Sequence, residues 1–192
     1  MEYPNWFDGV AKYNFDRFLS EYKGKDHLRF LQVGVYTGDA SKWLLENILT
    51  GAGSHLEDVD TWQGSNEEAH HAMDFNDVER VYDEKVAEYS NVKKFKMTSN
   101  DFFSKESYGF YDFAYVDADH TADATYKDGV NCWNRLKPNG ILAFDDYIWG
   151  AGLPDQSQAP EPGINKFLEE FEGQYDLLNK ESQVWIKKHA DL

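Results

Sequence analysis

LRFLQVGVYTGD, residues Leu28 to Asp39, reads as a short apolar strand (Phe30, Leu31, Val33), a tight loop from Gly34 to Gly38, and the entry to an apolar-periodic helix from Ala40 to Leu49. A glycine at 34 lets the chain turn sharply and, lacking a Cβ, leaves room for a ligand to approach the backbone. The helix that follows aims its free N–H groups and positive dipole end at whatever sits above the loop. An anionic or polar nucleotide-like ligand suits that place. Glycine-bearing turns also occur in α/β proteins that bind nothing there, so the loop alone does not decide function.

Outward from this stretch, strand and helix patterns alternate. Upstream, Phe7, Ala11, Phe15, Phe18 and Tyr22 recur at helical spacing, which predicts an N-terminal helical extension within residues 1–25. Downstream, Gly51 to Gly53 ends the first helix and a second strand runs to Asp60. Residues 61–75 have no clean period and read as a loop with a short helix. Val78, Val81, Tyr82, Val86 and Tyr89 return to helical spacing, and Val92 to Met97 alternates apolar with basic residues, as an edge strand does. Tyr111 to Val116, dense in aromatic and β-branched residues, suits a central strand covered on both sides. A helix from Ala122 to Leu136 then stops at Lys-Pro-Asn-Gly, before a strand from Ile141 to Phe144. A loop rich in glycine and proline spans 147–163, a short helix covers Ile164 to Phe171, and Tyr175–Asn179 with Gln183–Lys187 form a closing hairpin. The pattern predicts one α/β domain over residues 1–192, a doubly wound Rossmann-like parallel sheet with helices on both faces.

The chain carries 35 acidic and 19 basic residues in 192, a formal charge of −16. That charge repels a phosphate backbone or an anionic membrane surface, which argues against nucleic acid and membrane partners. No apolar stretch approaches a bilayer span, and the first residues have neither a basic start nor an apolar run, so the expected location is cytoplasmic. The single cysteine, Cys132, lies in a helical pattern and reads as a small core residue. Oligomeric state is left open, a homo-oligomer included.

In a sheet of this kind ligands bind beyond the carboxyl ends of the strands. Four strand ends there carry the glycine loop, Asp60, Asp117, and the pair Asp145 and Asp146. Asp60 follows Gly38 by twenty-two residues, close to the separation at which an acid accepts hydrogen bonds from a ribose diol; Asp58 takes that part if the strand ends earlier. Asp117, Asp145 and Asp146 would repel one another unless protons or a cation intervene, and all-oxygen ligation selects Mg²⁺ or Ca²⁺. The competing reading makes Asp119 or Asp146 a helix cap. His120, three residues past Asp117, can accept a proton near neutral pH, whereas His70 and His71 read as surface residues. Trp62, Tyr147 and Trp149 lie at the same rim, where Trp62 could stack on a cofactor ring, and Ser99 occupies a loop that would flank a purine.

The ordered set QVGVYTG, DVDTWQG, YDFAYVDADHTADATYKD and LKPNGILAFDDY resembles the class I S-adenosylmethionine-dependent methyltransferases, and more closely the small-molecule O-methyltransferases of the methyltransferase domain 24 type, which include macrocin-type relatives. The resemblance spans roughly residues 28–188. It implies a seven-stranded sheet of order 3-2-1-4-5-7-6 with the last strand antiparallel. It also implies that Gly34 and Gly38, with Val35 and Tyr36 between them, line the methionine and ribose of the cofactor. Asp60 would hold the ribose hydroxyls, with Thr61, Trp62, Ser99 and Asp117 completing the cofactor set. Asp117, Asp145 and Asp146 match the ligands of metal-dependent members. Gln32 stands where the first motif commonly has an acid, and Tyr36 and Asp39 replace other usual loop residues.

The expected reaction is methyl transfer to a small-molecule hydroxyl, with His120 as base, Asp119 beside it as the alternative, or Asp117 acting alone if no metal is present. An NAD-dependent oxidoreductase is the runner-up, although the loop lacks the three-glycine spacing of pyrophosphate binders. A non-catalytic nucleotide-binding module is the third reading.

Overall fold

A computed structural model describes residues 3–65, 70–105 and 110–191. Seven strands, β1 (Arg29–Val33), β2 (His55–Asp60), β3 (Val92–Lys96), β4 (Tyr111–Val116), β5 (Leu136–Phe144), β6 (Tyr175–Lys180) and β7 (Val184–Lys188), form one sheet of order β3-β2-β1-β4-β5-β7-β6. The first five are parallel; β7 runs antiparallel to β5 and to β6. Order and direction match the expectation.

Among the described residues six α-helices cover the sheet: α1 (Lys12–Leu19), α2 (Asp39–Asn47), α3 (Phe75–Val86), α4 (Ser99–Lys105), α5 (Ala122–Trp133) and α6 (Pro160–Glu170). Alternation along the strands sorts side chains between two cores. Phe30, Phe113, Tyr115 and Trp185 face α1, α2 and α3, with Phe15 of α1 edge-on to the rings of Phe113, Tyr115 and Trp185. Leu31, Val33, Ala114, Val116 and Ile186 face α4, α5 and α6, where Cys132 is buried as read. Among the described residues no helix is long and apolar enough to cross a membrane.

Three expectations change. Ser99 opens α4 instead of lying in a loop, because Thr98 Oγ1 accepts the Asp101 N–H at 3.1 Å and Phe102 and Phe103 are both buried. Lys-Pro-Asn-Gly is not a stop before the fifth strand. It lies inside β5, where Asn139 at φ 64° and a register shift against β4 mark a bulge. The sixth helix starts at Pro160, earlier than expected, since proline fits a first helical turn. The short helix expected after residue 61 falls partly on 66–69, outside the described residues.

Candidate active site

The glycine loop closes on an acid. Gly34 has φ +86°, and Gly38, at φ +78°, caps α2. The Asp60 carboxylate accepts the N–H groups of Val35 at 2.7 Å and Tyr36 at 3.0 Å on one oxygen and that of Trp62 at 2.7 Å on the other. Asp60 therefore sits at the end of β2 as the spacing predicted, and holds the loop's shape through three charge-assisted hydrogen bonds. The space that the missing Cβ of Gly34 opens is not left to a ligand: a Cβ there would lie 1.8 Å from the backbone oxygen of Asp117. The tips of β1 and β4 thus touch through their backbones.

Asp58, the alternative ribose acid, lies beneath the loop with no exposure and cannot reach the crevice. It accepts Gln32 Nε2 at 2.8 Å and the Tyr82 hydroxyl at 2.9 Å, while Gln32 also donates to Ser41 Oγ at 2.8 Å. Burial pushes Asp58 up to about 6 despite those hydrogen bonds. Gln32 is therefore a donor to a buried acid, which accounts for an amide at its position. Tyr82 also packs against Gly38, where a Cβ would meet its ring at 2.7 Å.

Trp62, expected as a stacking face, is a core residue, 3 % exposed, with its indole N–H donated to the Tyr36 carbonyl at 2.9 Å and its ring against Tyr82. Thr61 turns its Oγ1 to the N–H of Gln63 at 3.2 Å. The rim above the loop is aromatic instead through Trp6, stacked on Tyr36 with centroids 4.7 Å apart, and through His70, which packs on Tyr36, Trp6 and Phe75 rather than lying free on the surface. Ser99, the first residue of α4, is hydrogen-bonded to the buried Asp128.

At the ends of β4 and β5 the acids gather around His120. Its Nε2 lies 3.2 Å from Asp146 Oδ2 and 3.7 Å from Asp117 Oδ1, and the Trp149 ring packs against it, tilted by 54° with centroids 4.9 Å apart. Ligand atoms of Asp117, His120 and Asp146 all fall within 4.8 Å of one another. Burial alone would lower His120, but Asp117 and Asp146 outweigh it and push the imidazole up to about 11. The expectation of a histidine titrating near neutrality fails for that reason: enclosed by two carboxylates, the ring holds its proton. Asp117 itself is raised well above the carboxylate range by burial and by the charge of Asp145, partly offset by His120.

Of the three predicted ligands, the structure draws together Asp117 and Asp146. Asp145 turns one oxygen to the Tyr115 hydroxyl and the other to the Asp146 N–H, at 2.7 Å. Asp119 is exposed, accepts the Thr121 N–H at 2.8 Å at the start of α5, and stands outside the cluster. Tyr115 and Tyr82 were legible only as apolar positions in a strand and a helix. Their hydroxyl partners, thirty and twenty-four residues away in sequence, left no local signal.

A family model described as a methyltransferase domain matches residues 31–147. A search of curated proteins finds no match. Among solved structures, the O-methyltransferase from Bacillus cereus in complex with SAH is similar at TM-score 0.67 and 16% identity, over 97% of this chain and 83% of that one. The O-methyltransferase TomG from Streptomyces achromogenes, involved in tomaymycin synthesis and solved with SAM, gives TM-score 0.66 and 15% identity, over 97% of this chain and 82% of that one. The MycE methyltransferase of the mycinamycin biosynthetic pathway, solved with Mg and SAH, gives 0.65 and 16%, over 100% of this chain and 52% of that one, so the present chain spans about half of MycE. At these identities the likeness establishes the fold.

Proposed function

The chain belongs to the methyltransferase-domain family, and from that premise we propose that residues 1–192 form a single domain that moves the methyl group of S-adenosylmethionine to a hydroxyl of a small molecule, assisted by Mg²⁺ or Ca²⁺ at the acidic cluster. The observation that carries this reading is the backbone contact between Gly34 and Asp117, which sets the glycine loop and the His120 cluster side by side. A methyl donor over the loop would then adjoin an acceptor over the cluster.

On this reading Gly34, Val35, Tyr36 and Gly38 contact the methionine and ribose, and Asp60 uses its remaining lone pair, on Oδ1, for a ribose hydroxyl. Trp62 acts from behind, by holding the Tyr36 carbonyl. Transfer is an in-line displacement at a sulfonium, so the chain must align the acceptor oxygen with the methyl carbon and take up the oxygen's proton. On this reading His120 takes the proton, with Trp149 packed beside its ring. It can accept one only as the neutral ring, so the pull of Asp117 and Asp146 must be offset. Asp117 and Asp146, with carboxylate oxygens within 4.8 Å of each other, would suit a hard cation such as Mg²⁺, which takes one or two carboxylates and leaves its other positions to water or substrate oxygen. When bound, the ion would supply charge compensation and acidify the acceptor hydroxyl.

Calorimetry with S-adenosylmethionine and with NAD, followed by methyl transfer assays with and without chelator, tests the proposal. Binding of S-adenosylmethionine, activity lost on chelation and restored by Mg²⁺, and loss in His120→Ala with cofactor binding kept are the expected results. Tight NAD binding with no S-adenosylmethionine binding overturns the methyltransferase assignment; activity indifferent to chelator overturns the metal.

A further inference from the structure

Behind the acidic cluster runs a buried chain of polar side chains that joins three distant parts of the sequence. Asn14 of α1 donates to Gln183 Oε1 at 2.8 Å, and Trp185 Nε1 donates to the same oxygen at 2.9 Å. Gln183 Nε2 lies 3.5 Å from the Tyr115 hydroxyl, which donates to Asp145, and the Gln183 amide reaches Asp145 as well. Asn14, Tyr115 and Gln183 are all buried, so none of them has water to fall back on. Such a network costs desolvation, and apolar side chains would fill the same space without that cost. What it fixes is Asp145. Through the second oxygen of Asp145 it also fixes Asp146, whose φ of +55° lies in the left-handed region that a residue with a side chain seldom adopts.

We propose that Tyr115 is a positioning residue for the cation site: it holds Asp145 with one oxygen turned into the sheet and the other on the Asp146 N–H, and so sets the turn that presents Asp146 to Asp117 and His120. The inference rests on the cation reading of that cluster. It gives Asp145 a supporting part, with ligation left to Asp117 and Asp146. The far end of the network, Asn14 and Gln183, makes the same support depend on the N-terminal helix and on the turn between β6 and β7.

The test is Mn²⁺ titrated into the 192-residue chain and followed by the free-ion electron paramagnetic resonance signal, for the parent, Tyr115→Phe, Asp145→Asn and the double variant, with thermal unfolding recorded for each. Tyr115→Phe should raise the Kd about tenfold, as loss of a partner behind a ligand typically does. Asp145→Asn should raise it at least as much, and the double variant should match Asp145→Asn, because Tyr115 acts only through that carboxylate. Gln183→Met keeps Tyr115 and removes its backing; a smaller rise in Kd is expected, and this variant decides the matter if Tyr115→Phe does not fold. An unchanged Kd in the variants that fold, or effects that add in the double variant, overturns the positioning role and leaves the cation reading standing. Failure of the parent to bind Mn²⁺ overturns both.

Discussion

Asp58 accepts the Tyr82 hydroxyl at 2.9 Å in a site from which water is excluded. That one contact pins α3 to the sheet directly beneath the glycine loop, and it puts an acid raised to about 6 at the centre of the fold.

Its consequence for stability has a definite sign. The folded protein holds the Asp58 proton more tightly than the unfolded chain, where an aspartate titrates near 4. Between about pH 4 and pH 6 folding therefore takes up a proton, and this residue's contribution falls as pH rises through that window, by roughly 3 kcal/mol in full. Asp58→Asn should lose less stability than the parent between pH 4.5 and pH 7.5 in urea unfolding, since the Gln32 amide can turn its unused Oε1 toward the new side chain. Parallel curves for the two proteins would contradict this.

Gly34→Ala should be among the most damaging single changes in the chain. The residue combines φ +86° with a Cβ position 1.8 Å from the Asp117 carbonyl oxygen, so β1 and β4 would have to separate at their tips. A loss of at least about 3 kcal/mol in denaturant unfolding is expected. A variant as stable as the parent would mean the two strand tips are not in contact.

Removing the Asp60 carboxylate should act twice. Asp60→Ala leaves the N–H groups of Val35, Tyr36 and Trp62 without their acceptor, which should lower stability by about 2 to 3 kcal/mol. If the acid also holds the ribose, calorimetry on the folded variant should show S-adenosylmethionine binding weakened by about 1.5 to 3 kcal/mol. Stability lost with affinity intact would assign Asp60 to the loop alone.

His120 should be protonated on both ring nitrogens at pH 8 in the metal-free protein, since the carboxylates around it push it up to about 11. The stabilisation this pairing gives is complete below about pH 6.5, the unfolded value, and falls progressively from there until pH has risen through about 11. Nitrogen-15 spectra of the imidazole report the state directly, and adding Mg²⁺ should move the ring toward the neutral form at pH 8. A neutral ring without metal would contradict the arrangement with Asp117 and Asp146.

Strand identities and the place of the crevice were legible because they rest on periodicity and on acids that follow apolar runs, Tyr111–Val116 before Asp117 and β5 before Asp145, whereas the order of the strands was implied by the family resemblance. Side-chain direction was not legible. Asp58 and Asp60 differ by two residues at the end of one strand, yet one lies under the loop and the other beside it, because Tyr82 of α3 claims the first. Asp145 and Asp146 are adjacent, and the Tyr115 hydroxyl on the neighbouring strand holds the first away from the cluster. Trp62 reads as a rim aromatic until the Tyr36 carbonyl draws its indole N–H inward. In each case the deciding partner is remote in sequence, and no local pattern announces it.

The contact between the tips of β1 and β4 also governs how such a chain can diversify. Residues 63–65 and 150–155, past the ends of β2 and β5, lie outside that contact, so insertions or replacements there need not disturb the joint. A shift of β4 by a single residue, in contrast, would move Asp117 off Gly34 and turn Tyr115 to the opposite face, spoiling both halves of the crevice at once. New acceptor preferences in this architecture are accordingly to be sought by grafting loops, with the two strand tips transplanted only as a matched pair.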